Sequence, residues 1–181
     1  RVLAERDLSI ALSEIGLPGL SRSEFDELVF NYELVLSYVL TRKGSDQVAE
    51  AIETRVKSDV SRDTSKNEPL AITTFNGGVS EAEMSGVVDS IRNATAQTSE
   101  RDRIRGIVTT NVIGHGIDVD RFNMIVFAGF PRMVAEYIQA SARVGRTIPG
   151  ISFFVATPQS ERDRSVFDRF SKFHEYLDRL V

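Results

Sequence analysis

The sequence predicts an α/β fold: a parallel sheet with helices on both faces, extra N-terminal helices and a C-terminal amphipathic helix. Two observations predict it. Short apolar runs recur at 34–40, 70–75, 104–109, 124–128 and 151–156, and near-continuous apolarity marks strands buried on both faces. Between them lie stretches whose apolar residues return at helical spacing, and strand–helix alternation builds parallel sheets.

Val2–Ile15 reads as a helix stopped by Gly16 and Pro18. Ser21 opens a second helix, with Glu24 completing a capping box and Phe25, Leu28 and Val29 following at helical spacing. Leu34–Leu40 is the first strand. Ser45 begins the next helix, with Val48, Ile52 and Val56 on one face. Lys57–Pro69 is polar and unpatterned, a loop or ragged helix end. Leu70–Phe75 is the second strand, turned by Asn76, Gly77 and Gly78. Ser80 and Glu83 form another capping box, and Met84, Val87, Val88 and Ile91 make an amphipathic stripe. Ala94–Arg103 is a polar connection. Ile104–Thr109 and Met124–Ala128 are the third and fourth strands. Pro131 suits the first turn of the helix carrying Gln139. Ile151–Ala156 is the fifth strand, and Val166, Phe170, Phe173, Leu177 and Leu180 mark a last amphipathic helix. The expected organisation is an N-terminal helical extension at 1–33, an α/β domain at 34–158, and a C-terminal helix at 159–181 packed on that domain.

Composition narrows the function. The length, 181 residues, suits one domain with a sizeable core. There is no cysteine, and the two histidines, His115 and His174, lie far apart in sequence. Disulfides and thiolate metal sites are excluded, and no metal site is expected. No apolar run reaches the length of a membrane span and no signal peptide is visible, so a cytoplasmic location and no membrane partner are expected. Net charge is −4 and the pI about 5.3, which argues against a tight, free-standing nucleic-acid binder. A first residue of Arg rather than Met leads us to expect a piece of a larger protein.

Two stretches carry chemistry. Thr109–Asp120, TTNVIGHGIDVD, ends a strand in hydroxyls and runs into a Gly-x-Gly-x-Asp turn. Glu136–Arg146, EYIQASARVGR, delivers Arg143 and Arg146 past a helix end, with Gly145 between them. Guanidinium stays charged and offers forked donors that match phosphate oxygens. On their own these are also an ordinary strand-to-helix turn and a solvated basic helix end, which the helix dipole favours. Asp118 and Asp120 are a poor metal pair, because no third oxygen ligand is suggested nearby. The terminal aromatics Phe167, Phe170, Phe173 and Tyr176 read as core rather than base-stacking residues, and His174 as a partly exposed helix residue.

Together the two stretches resemble motifs V and VI of superfamily 2 helicases, in the second RecA-like domain of the motor. Thr110, Gly116 and Asp118 fit motif V, with His115 where Arg is frequent. Gln139, Arg143, Gly145 and Arg146 fit motif VI, with Ala142 where glycine is usual. The resemblance covers about Leu34 to Ala156 and implies a RecA-like sheet. It implies that Arg143 and Arg146 reach the γ-phosphate of ATP and stabilise phosphoryl transfer. Gly116, Asp118 and Gln139 would lie on the nucleotide side, with Asp118 near the ribose. Thr109, Thr110 and Asn111 would meet a nucleic-acid backbone. Thr41 and Arg42, followed by Lys43, fit motif IV near that backbone, though a charged loop explains them equally. Gly77, in the Asn76-Gly77-Gly78 turn, fits a phosphate-packing corner, though a plain glycine turn does too.

No Gly-x-x-x-x-Gly-Lys-Ser/Thr and no Asp-Glu-x-His/Asp occurs in the chain. The resemblance therefore implies half of an ATPase site. ATP and Mg2+ would be held mainly by an N-terminal RecA-like domain of the same protein, with single- or double-stranded nucleic acid as the other partner. Gln139, where DEAD-box RNA helicases carry His, leans toward DNA. The stretch EYIQASARVGR, with RDRSVFDRFSKFHEYLDRL downstream, resembles more narrowly the helicase of the DISARM phage-defence system. Three other readings stay open: an RNA helicase domain, a non-hydrolysing docking or regulatory domain, and an unrelated nucleotide-binding α/β enzyme. The missing Gly-Lys phosphate loop weighs against the last.

Overall fold

In the computed structural model, five parallel strands form one sheet in the order β2-β3-β1-β4-β5. The structure describes residues 13–14, 16, 19–60, 71–75, 78–99, 101–110 and 119–179. The strands are β1 (Val35–Val39), β2 (Ala71–Phe75), β3 (Ile104–Thr109), β4 (Met124–Ala128) and β5 (Ile151–Val155). The helices among the described residues are α1 (Arg22–Tyr32), α2 (Arg42–Val60), α3 (Glu81–Asn93), α4 (Val134–Ser141), α5 (Glu161–Asp168) and α6 (Phe170–Glu175). This is the RecA-like α/β arrangement the sequence predicts. Of the expected helix at Val2–Ile15 only Ser13 and Glu14 are described, and they are helical; the rest of it and the glycine turn at Asn76-Gly77 fall outside the described residues.

Local chemistry explains most boundaries. Ser21 and Ser80 each accept a bond from the N3 amide while Glu24 and Glu83 reach back to the cap amide. Two orphan amides are thereby satisfied at each helix start. Those serine bonds hold the Glu24 and Glu83 carboxyls below the usual carboxylate range.

Three boundaries differ from expectation. Helix α2 begins at Arg42 rather than Ser45, because the Thr41 hydroxyl accepts a bond from the Gly44 amide at 3.1 Å. Ser45 instead sits fully buried, donating to the Arg42 carbonyl at 2.6 Å. Pro131 precedes α4, whose N-cap is Met133, and its carbonyl is taken by Arg162. The C-terminal helix breaks at Arg169 and Tyr176, which leave helical geometry (φ −121° and −112°). The breaks turn the segment so that Phe170 stacks on Phe154, while Phe173 meets Phe130 and Tyr137.

The core lies on one face of the sheet. Leu36, Tyr38, Phe75, Ile107, Ile125 and Phe127 are buried there against Val88 and Ile91 of α3 and Tyr137 and Ala140 of α4. On the other face α2 packs over β1, β2 and β3. That cover stops short of β5, whose Ile151, Phe153 and Val155 are 42%, 48% and 56% exposed.

Helix α1 is joined to the body at the amino ends of the strands. Glu33 pairs with Arg103 at 2.8 Å, Arg105 at 3.5 Å and Arg121 at 3.6 Å. Arg121 also lies over the Phe30 ring, 3.5 Å from its centroid, and donates to the Phe30 carbonyl. Asn123 donates to Asn31, and Tyr32 to Pro149.

Candidate functional site

The sheet puts two sets of candidate residues at opposite ends. Thr109 sits in register with Tyr38 and Phe75, and Val39 with Ala128. The residues following β1 and β3 therefore share the carboxyl edge. Thr41 and Arg42 are exposed there, at the start of α2. Thr109 and Thr110 are 1% and 7% exposed. The Thr109 hydroxyl donates to the Thr110 carbonyl at 2.9 Å, and the Thr110 amide to the Phe75 carbonyl at 3.3 Å. Both threonines are thus fixed within the strand end. Asn111, Gly116 and Asp118, with His115, lie outside the described residues, as does Gly77.

Helix α4 runs from the carboxyl end of β4 toward the amino end of β5. Tyr137 and Ala140 are buried, which turns the intervening Gln139 outward. Arg143 follows Gln139 by four residues, just past the Ala142 C-cap, and its amide donates to the Ala140 carbonyl at 3.2 Å. Ala142 is the C-cap, with φ −67° and ψ −5°, a helical geometry that suits alanine better than glycine.

Gly145 then reverses the chain with φ +78°. A Cβ there would stand 2.7 Å from the Gly150 amide nitrogen, so only glycine fits without strain. The Gly145 amide donates to Phe122 at 3.0 Å and the Ile151 amide to Asn123 at 2.8 Å. These bonds fasten the arginine-bearing turn to the amino ends of β4 and β5. Arg143 is half-buried and Arg146 exposed. The turn therefore presents two cations on a backbone held at both ends, and forked guanidinium donors in that setting can grip an anionic oxygen group.

Sequence reasoning missed the residues that hold this helix. Asp163 is 2% exposed and accepts from the Phe130 amide at 3.2 Å and the Thr157 amide at 2.9 Å. His174 Nδ1 donates to the Phe170 carbonyl at 2.9 Å, leaving Nε2 to accept from the Tyr137 hydroxyl at 2.7 Å. The Ser160-x-x-Asp163 spacing was a visible signal, since it is a helix-cap pattern. Among the described residues no three His, Asp or Glu side chains gather as a metal set. No helix among them is long and apolar enough to cross a membrane.

A five-stranded parallel sheet, with helices packed on it, defines the chain as a RecA-like α/β domain. Residues 31–148 match the model of the helicase conserved C-terminal domain. The chain belongs to that family, and it is the C-terminal domain type of the superfamily 2 helicases. It is 41% identical over 75 residues to the DISARM protein DrmA of Bacillus paralicheniformis, covering 41% of this chain and 7% of the relative. It is 29% identical over 117 residues to the ATP-dependent DNA helicase RecQ of Haemophilus influenzae, covering 63% of this chain and 17% of the relative. The chain thus spans a small part of both curated relatives. Among solved structures it resembles the DUF1998 helicase MrfA bound to DNA, with TM-score 0.59 and 18% identity over 96% of this chain and 21% of that one. A structure of MrfA with DNA and AMPPNP matches with TM-score 0.58 and 21% identity, over 84% of this chain and 20% of that one.

Proposed function

We propose that this chain is the second motor domain of an ATP-dependent helicase or translocase that acts on DNA. Arg143 and Arg146 supply the trans-acting arginine contacts to the transferring phosphate. ATP and Mg2+ are held mainly by a first RecA-like domain of the same protein, and Gly116, Asp118 and Gln139 complete the nucleotide side. Thr41, Arg42, Gly77, Thr110 and Asn111 form the edge that meets the strand, while Thr109, buried and bonded to the Thr110 carbonyl, holds that strand end from within. The similarity to the ATP-dependent DNA helicase RecQ supports DNA as the track, and the similarity to DrmA supports a DISARM phage-defence setting. A cytoplasmic location accords with that reading.

One observation carries it. The arginine turn is built rather than merely basic: Gly145 at φ +78° and its bond to Phe122 fix where Arg143 and Arg146 leave α4. It lies at the end of the sheet opposite Thr41, Arg42 and Thr110, so nucleotide and strand contacts occupy separate edges of one rigid body. ATP-driven movement of the domain then moves the strand edge with it. Preorganised cations act on a phosphoryl-transfer transition state without reorganisation cost.

The test is steady-state ATPase of the full-length protein, with nucleotide affinity and melting on the same preparations. Arg146→Ala should lower turnover by roughly a hundredfold or more, and Arg143→Ala comparably or somewhat less. ATP affinity and melting temperature should hold, because the side chains lie outside the core. Wild-type turnover in Arg146→Ala would replace this reading with a docking or regulatory domain that takes no part in hydrolysis.

A further inference from the structure

Resting on that functional reading, we propose that Asp163 is a positioning residue: a buried carboxylate latch that sets the aim of the arginine-bearing helix. Its two oxygens bridge the chain just past β4, at the Phe130 amide, and just past β5, at the Thr157 amide. A buried carboxylate is costly unless it is hydrogen-bonded. Here the charge gains two amides and the N-terminal turn of α5, where Ser160 accepts from the Asp163 amide at 3.2 Å.

Gly129 sits at φ +86°, a backbone geometry that strains any other residue, and a Cβ there would press on Leu40 Cδ1 at 3.2 Å and meet Asp163 Oδ2 at contact distance, 3.4 Å. Its amide donates to Val155 at 2.9 Å. Neighbouring Arg162 donates to the Pro131 carbonyl, and its guanidinium lies 5.5 Å from the Phe130 ring centroid. Phe130 stacks on Tyr137 of α4 at 5.1 Å. Arg162 and Asp163 therefore clasp the turn Gly129–Pro131 from which α4 departs.

Lever length makes this matter. Helix α4 has eight residues, about 12 Å of rise. A change of about 10° at its start, carried over that length, loads the far end with on the order of 2 Å of displacement against the Phe122 and Asn123 bonds that hold the turn, and a misplacement of about 1 Å can cost roughly a hundredfold in a reaction that depends on alignment. Arg143 lies immediately beyond that far end. A latch at the carboxyl edge thus acts on a cation at the amino edge, through one short rigid helix.

The experiment is a double-mutant cycle in the full-length protein, below the melting temperature of every variant. Asp163→Asn keeps shape but removes the charge and one acceptor. It should lower kcat by about tenfold or more while the KM for ATP stays within about threefold. In an Arg143→Ala, Arg146→Ala background the same change should cost nothing further, because the cations it aims are gone. A purely structural role would lower melting temperature without this non-additivity. Should Asp163→Asn fail to fold, Arg162→Gln tests the same clasp with the carboxylate intact, and should lower kcat by about threefold, again only when the arginines are present. Wild-type kcat in the folded latch variants, or losses that persist in the arginine-free background, would overturn the latch alone. Full turnover in the arginine-free protein would overturn the functional reading and the latch with it.

Discussion

Tyr38 ties the sheet to the arginine helix at the scale of one side chain. Its hydroxyl donates to Glu136 Oε2 at 3.5 Å, and burial, with the Glu136 charge adding, pushes its phenol up to about 12. Burial also raises Tyr137 on the same helix. The folded state therefore holds a neutral phenol more tightly than the unfolded chain, whose tyrosine titrates near about 10. The sign follows: this stability is complete below about pH 10 and is lost as pH rises through about 12. Melting of the wild type should fall with pH across that window more steeply than melting of Tyr38→Phe. Parallel slopes would show that the Tyr38 phenol ionises without cost. The two capping boxes were legible in the sequence because Ser-x-x-Glu is a local pattern. Thr41 was not read as a cap, since the same hydroxyl also suits a phosphate contact and sequence alone does not rank the two. Asp163 was missed because its partners, the Phe130 and Thr157 amides, are backbone groups brought together only by neighbouring strands.

At the scale of elements, the five strands were legible because buried parallel strands write themselves as apolar runs. Their burial was not. Ile151–Val155 reads like an inner strand, yet β5 is one of the two edge strands, with one face exposed at Ile151, Phe153 and Val155. An apolar run does not encode strand order. The attachment of α1 was equally hidden, since Glu33 and its arginines stand about seventy to ninety residues apart in the chain. Glu33 and Arg103 side chains are both only 10% exposed, so this is a mostly buried ion pair. Burial pushes the Arg121 guanidinium down, and Glu33 opposes that shift. Breaking a buried pair leaves uncompensated charge and costs about 3 kcal/mol or more. Glu33→Gln should therefore lower stability by about that amount in chemical denaturation. A loss under about 1 kcal/mol, the range of surface pairs, would mean that water already screens the three guanidiniums.

On the proposed reading the whole molecule divides its work between two edges, and that division predicts a poor enzyme and a weak binder in the isolated chain. Its sequence holds no Gly-x-x-x-x-Gly-Lys-Ser/Thr cradle and no Asp-Glu pair after a strand, the motifs by which such motors grip the β- and γ-phosphates and magnesium. Arginines aimed across a cleft stabilise a transition state only when the opposite wall presents the nucleotide. The 181-residue chain should accordingly show no magnesium-dependent ATP turnover. On the strand side, Arg42 and Lys43 are exposed at the start of α2, while the chain as a whole carries −4. Two cations neutralising two phosphates give a log–log salt slope of about −2 on duplex DNA. Binding measured by fluorescence anisotropy should therefore be weak, lost steeply between low and physiological salt, and reduced to a slope near about −1 by Arg42→Ala. Turnover by the pure chain would refute the half-site assignment. Tight binding that survives high salt would instead identify a dedicated nucleic-acid module, with contacts well beyond Arg42 and Lys43.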